Sequence, residues 1–126
     1  MSKICIIDYK TGGNIFSVNN SLEYIGAKPT ITSDPDEILK SDKIIFPGVG
    51  SFQVAAEQIN KLGIADALKQ ARAKKIPILG ICVGMQIMFD QGYEGSVTQG
   101  LGFFKGIVEE FKSTELKIPH MGWNEV

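Results

Sequence analysis

The sequence predicts an α/β fold: an open, wound, mostly parallel sheet with helices on its faces. Two observations carry this reading. Four short apolar runs, at residues 3–7, 29–32, 43–46 and 76–82, alternate with segments of helical spacing. The first, third and fourth runs are nearly continuous in Ile, Leu and Phe, as strands covered on both faces of a parallel sheet are. Strands alternating with helices in this way read as βαβ units.

Each element has its own justification. Ile15, Val18, Leu22 and Ile25 recur at three or four residues, and Gly26 offers a left-handed stop. A second helix opens at Asp34-Pro35-Asp36-Glu37 with an N-cap, a first-turn proline and a capping-box acid. Residues 51–62 and 64–75 read as two helical segments split at Gly63, the second ending on Lys74-Lys75, which suits a helix C-terminus. Residues 91–102 hold four glycines and read as loop. Residues 103–111 carry strand-like apolar side chains, with less regular, partly antiparallel strands expected from Gly100 onward. Residues 113–126 read as loop plus a further strand.

Composition narrows the function classes. The 126 residues carry 13 Lys plus Arg against 14 Asp plus Glu, a formal charge of −1, with 44% hydrophobic residues. Such a balance excludes a disordered charged tail and offers no basic footprint for nucleic acid or an anionic membrane. No apolar run reaches the roughly 18 residues of a membrane span. One domain, residues 1–126, fits this length. The start at Met1-Ser2-Lys3 does not resemble a signal peptide, and two cysteines make no disulfide framework. The cytoplasm is the expected compartment, with no metal or cofactor.

The sharpest chemical signal is Gly80-Ile81-Cys82-Val83-Gly84, between an apolar strand and the helix-like Met85-Gln86-Ile87-Met88-Phe89. A strained strand–turn–helix junction of this kind exposes a nucleophile and needs glycines where backbone closes around it. It also sets the sulfur at a helix N-terminus, whose dipole favours an anion. The Val83 amide, next after the nucleophile, can donate to an oxyanion. Gln86, one turn on, can reach a substrate on the same helix face. A packed structural cysteine is the competing reading of the same residues.

Pro47-Gly48-Val49-Gly50, after the third strand, leads to a helix capped by Ser51. It offers backbone amides at the carboxyl edge of the sheet, where open α/β sheets bind ligands. Thr11-Gly12-Gly13-Asn14 lacks the spacing of a phosphate-binding fingerprint and reads as a tight turn with Asn14 as N-cap. Cys5 reads as core. His120 is the sole histidine, and a Cys82–His120 dyad competes with a binding role for the apolar, aromatic loop around it. Met121 and Trp123 suit an interface anchor near the sheet edge of Cys82.

Taken together, Gly80-Ile81-Cys82-Val83-Gly84-Met85-Gln86 resembles the nucleophile elbow of class I (triad) glutamine amidotransferases, and Pro47-Gly48-Val49-Gly50 resembles their oxyanion loop. Pro119-His120-Met121-Gly122-Trp123-Asn124 narrows the likeness to glutaminase subunits of imidazole glycerol phosphate synthases, in histidine biosynthesis. The resemblance implies a flavodoxin-like core, Cys82 attacking the carboxamide of glutamine, and release of ammonia from a glutamyl thioester. It implies that Val83, Val49 and Gly50 stabilise the oxyanion, with Gly48, Gly50 and Gln86 contacting glutamine. Asn14 and Pro119, His120, Met121, Gly122, Trp123 and Asn124 would face a (β/α)8-barrel cyclase in a heterodimer. Members of the family continue to a His-Pro-Glu segment that supplies the base. Nothing here matches it, so the chain is expected to be an N-terminal, C-terminally incomplete portion, inactive alone. Competing readings are a non-catalytic flavodoxin-like binding module, a dienelactone-type hydrolase, and an amidotransferase serving a surface-sugar pathway.

Overall fold

A computed structural model describes residues 1–11 and 13–126, so Gly12 of the Thr11–Asn14 turn lies outside the described residues. Four strands, β1 (Ile4–Ile7), β2 (Thr30–Thr32), β3 (Lys43–Phe46) and β4 (Ile78–Gly80), form one sheet in the order β2-β1-β3-β4. All three pairings are parallel. The chain winds from β1 to β2 on one side and then returns past β1 to β3. The loops after β1 and β3 therefore diverge at a switch point, where such sheets bind ligands.

The two sheet faces are covered unequally. Cys5, Ile7, Ile44 and Phe46 point into the main core, with Phe52, Ala55 and Ile59 of α3 (Phe52–Lys61) and Ile64, Ala67, Leu68 and Ala71 of α4 (Ile64–Ala73). Helix α2 (Pro35–Leu39) adds Ile38. On the other face the registered row Ile31–Ile6–Ile45–Leu79 is buried at its centre and opens to 58% exposure at Leu79. The expectation that the fourth run is covered on both faces is corrected here: among the described residues β4 is an edge strand paired with β3 alone, and no element covers Leu79 on its outer face. Helix α1 (Ile15–Tyr24) has no buried residue, and Ile25 is exposed.

The helix signals act largely as expected. Gly26 and Gly63 adopt positive φ, at 86° and 74°. Asp34 accepts from the Asp36 amide, and Ser51 accepts from the Val54 amide. The capping box of α2 differs: Glu37 turns to Lys3 and Lys40, while the Asp34 amide is met by the Thr32 hydroxyl. Asn14 precedes α1 but does not cap it; its side chain takes the Ser17 hydroxyl instead.

Three expectations fail beyond β4. The helix after Cys82 is only α5 (Val83–Gln86), and Phe89 already belongs to β5 (Phe89–Gly92). The glycine-rich segment is not plain loop, because β5 pairs antiparallel with β6 (Thr98–Gln99) and parallel with β7 (Phe104–Val108). Two of its four glycines serve packing: a Cβ on Gly92 would stand 2.4 Å from the Phe52 ring, and one on Gly100 would stand 2.1 Å from the Phe89 carbonyl. No strand occurs in residues 113–126. No helix among the described residues is long and apolar enough to cross a membrane.

Candidate active site

Three loops meet at the carboxyl edge of the sheet, following β1, β3 and β4. Because β3 lies between β1 and β4, the Pro47–Gly50 loop sits between the β1 loop and the Cys82 turn. Gly13 of the first loop faces the Val49 side chain, with an added Cβ meeting it at 3.3 Å. Tyr9, Gly13, Asn14, Pro47 and Gly48 line a small recess between these two loops.

Cys82 stands two residues past the end of β4 and immediately before α5, the strand–turn–helix placement of the elbow reading. Its φ of 56° and ψ of −122° match the first central position of a type II′ turn, which glycine normally fills. The turn is closed by the Gly84 amide donating to the Ile81 carbonyl at 3.1 Å. Neighbouring backbone is tight on both sides. A Cβ on Gly84 would lie 1.8 Å from the Phe46 carbonyl, and one on Gly80 would lie 2.7 Å from the Met85 Cα. The glycine spacing is thus the geometric condition for holding Cys82 out of the sheet. Cys82 is exposed while Cys5 is buried, and burial pushes the Cys5 thiol up.

The amides around Cys82 are arranged less simply than the sequence suggests. The Val83 N–H donates to the Gly48 carbonyl at 3.4 Å. In this arrangement the amide expected to face an oxyanion is engaged by the Pro47–Gly50 loop. Gly50 has a φ of 92° and open space where a side chain would be, and Val49 is exposed. Gln86 is half-buried one turn beyond Cys82.

His120 does not join Cys82 in a dyad here. Its Nε2 lies 2.8 Å from the Asn124 side-chain nitrogen, within an exposed segment. Met121 and Trp123 are almost fully exposed, at 87% and 103%. Among the described residues no group of three or more His, Cys, Asp or Glu side chains could hold a metal ion.

Two residues at this edge escaped sequence reasoning. Glu94 reaches across from the β5–β6 connection and accepts the Phe52 amide at 3.0 Å, tying that connection to the first turn of α3. Tyr9 is 3% exposed, its ring edge-on to Phe46 at 5.5 Å. Burial pushes its phenol up to about 12; the Thr11 side chain opposes this, and the Cys82 sulfur adds to it. Neither residue belongs to a motif, and only the meeting of distant segments marks them.

The family signature for class I glutamine amidotransferases matches residues 6–126. The chain belongs to the class I glutamine amidotransferase family. It is 50% identical over 125 residues to imidazole glycerol phosphate synthase subunit HisH 1 of Campylobacter jejuni, a match covering 98% of this chain and 62% of that protein. It is 46% identical over 126 residues to the HisH subunit of Lactococcus lactis, covering 100% of this chain and 61% of that one. The chain thus spans about six-tenths of the length of these curated relatives. Its fold is also that of a crystallised glutamine amidotransferase, with a TM-score of 0.71 at 16% identity over 85% of this chain and 56% of the other. The α/β class and the parallel sheet read from the sequence agree with this family.

Proposed function

We propose that this chain is the nucleophile-bearing part of a glutaminase that feeds ammonia to imidazole glycerol phosphate synthesis. One observation carries the chemistry: Cys82 is held at positive φ on an exposed strand–helix turn, beside the Pro47–Gly50 loop. A packed structural cysteine, as in a binding module, needs neither that conformation nor that exposure. The identities to HisH subunits support the acceptor pathway over a surface-sugar one.

In this reading the Cys82 thiolate adds to the carboxamide carbon of glutamine, and the carbonyl oxygen becomes an oxyanion. Val83, with Val49 or Gly50, donates to that oxygen, while Gly48, Gly50 and Gln86 hold the substrate. The C–N bond breaks as the nitrogen takes a proton and leaves as ammonia. Water then adds to the glutamyl thioester and releases glutamate. For Val83 to take part, its N–H must be released from the Gly48 carbonyl. The proton transfers need a base, and among the described residues none is hydrogen-bonded to Cys82. By the family resemblance a His-Pro-Glu segment would fill that role, so these 126 residues are expected not to turn over glutamine by themselves. Asn14 and Pro119–Asn124 face the cyclase barrel, where the bare Met121 and Trp123 side chains are covered. The setting is cytoplasmic.

The test is covalent labelling by a diazo-ketone analogue of glutamine, followed by ammonia release with and without the C-terminal segment of a HisH relative added in trans. Labelling of Cys82 alone, with turnover only when that segment is present, supports the proposal. Equal, slow labelling of Cys5 and Cys82 would favour the binding module, and turnover by the 126 residues that is lost in His120→Ala would restore the dyad.

A further inference from the structure

The three-stranded sheet β6-β5-β7 has no part in the catalytic scheme above, yet it touches both segments which that scheme brings together. On one side β5 continues from the Cys82 turn: α5 ends at Gln86, and the buried Ile87 and Met88 lead directly into Phe89. The Ile87 carbonyl accepts the Leu101 amide and the Met88 carbonyl accepts the Phe103 amide, both at 2.7 Å, so this junction is fixed.

On the other side the β5–β6 hairpin grips the first turn of α3, which starts two residues after Gly50. The Phe52 ring, 1% exposed, lies on Gly92, where an added Cβ would stand 2.4 to 2.6 Å from three ring carbons. Glu94 accepts the Phe52 amide at 3.0 Å, and the Ser96 hydroxyl donates to the Gln53 side-chain oxygen at 3.1 Å. The seat of the ring carries most of this hold, because a close-packed interior does not let a buried aromatic drift. Only Ser51, the cap of α3, separates Phe52 from Gly50. Gly50 has a φ of 92° and open space on its side, so a displaced helix start is taken up there. We propose that Phe52 is a positioning residue of the candidate site: seated on Gly92, its ring sets where the Gly50 end of the Pro47–Gly50 loop stands relative to Cys82. The sheet thus acts as a template, continuous with the cysteine turn at one end and clasping the neighbouring loop at the other.

This inference rests on the glutaminase reading, and the experiment separates the two. Phe52→Leu, Gly92→Ala and the double variant are compared in this chain. Two rates at Cys82 are followed by mass spectrometry. One is labelling by the diazo-ketone analogue of glutamine, whose carbonyl uses the Gly50 side of the site; the other is alkylation by iodoacetamide, which needs only an exposed thiol. Ile59→Val, a buried change two turns further along α3, is the control for lost stability. Phe52→Leu and Gly92→Ala should each slow analogue labelling about tenfold and leave alkylation within about twofold. In the double variant the smaller Leu makes room for the new methyl, and labelling recovers to within about threefold of the wild type. Ile59→Val labels at the wild-type rate. Unchanged analogue labelling in Phe52→Leu overturns the inference and leaves the glutaminase reading intact. Equal slowing in Ile59→Val, or equal slowing with both reagents, also overturns it, since a purely structural role would produce either pattern. A double variant no faster than its slower parent does the same. Should Gly92→Ala fail to fold, Phe52→Leu against Ile59→Val decides. Wild-type Cys82 labelled no faster than Cys5 overturns the glutaminase reading and the inference with it.

Discussion

The Gly84 amide donates to the Ile81 carbonyl at 3.1 Å across Cys82, closing a turn whose first central residue is the proposed nucleophile rather than a glycine. A non-glycine residue there stores backbone strain of order 1–3 kcal/mol. Cys82→Gly should therefore raise stability by about 1 kcal/mol while abolishing acylation. Denaturant midpoints and analogue labelling check the two halves separately. A destabilised Cys82→Gly would show that the turn carries no strain.

Gly84→Ala should act in the opposite direction. Its new methyl would sit 1.8 Å from the Phe46 carbonyl, backbone that cannot move without breaking β3 away from β4. A loss of about 3 kcal/mol or more follows, with loss of Cys82 labelling. Thermal unfolding measures the first effect and mass spectrometry of the labelled protein the second.

Glu94→Ala removes the acceptor of the Phe52 amide at the start of α3. The expected cost is about 1 kcal/mol, from an orphaned helix-start amide and a lost anion at a helix N-terminus. Glu94→Gln keeps an acceptor and should recover part of it. Urea titration of the two variants decides the order.

Alkaline pH should destabilise the fold through Tyr9. Its phenol ionises near 10 when unfolded and at about 12 when folded. Below pH 10 both states hold the proton, so the full stability is present. Between about 10 and 12 the unfolded state loses its proton first, and stability falls by about 2–3 kcal/mol in all. Cys5, also raised by burial, adds loss of the same sign from about its ordinary value of 9.0 upward. Tyr9→Phe should flatten the upper part of the curve, as measured by unfolding at pH 9, 10.5 and 12.

Why some of this was legible beforehand is a matter of range. The elbow was readable because Gly80, Cys82 and Gly84 meet constraints imposed within a few residues and by the strand beside them. The caps at Asp34 and Ser51 were readable for the same local reason. Strands β5 and β6 were not, since Gly92 in β5 and Gly100 just after β6 make room for Phe52 and the Phe89 carbonyl rather than form a loop. The Val83–Gly48 hydrogen bond, Glu94 and Tyr9 depend on segments 35 to 42 residues apart coming together, and no spacing rule announces such meetings.

Helix α1 is held to the sheet without a single buried residue, whereas α3 and α4 contribute nine between them. The molecule is thus built of unequal cooperative units. Amides of α3 and α4 should exchange with solvent only through global opening, and those of α1 through a smaller event that leaves the sheet standing. The loop that carries Tyr9 and Asn14 is strung between β1 and this loosely moored helix. A partner docking on Asn14 would therefore grip a part of the protein that yields before the sheet does, and what it does to α1 would pass to the loop whose Gly13 faces Val49.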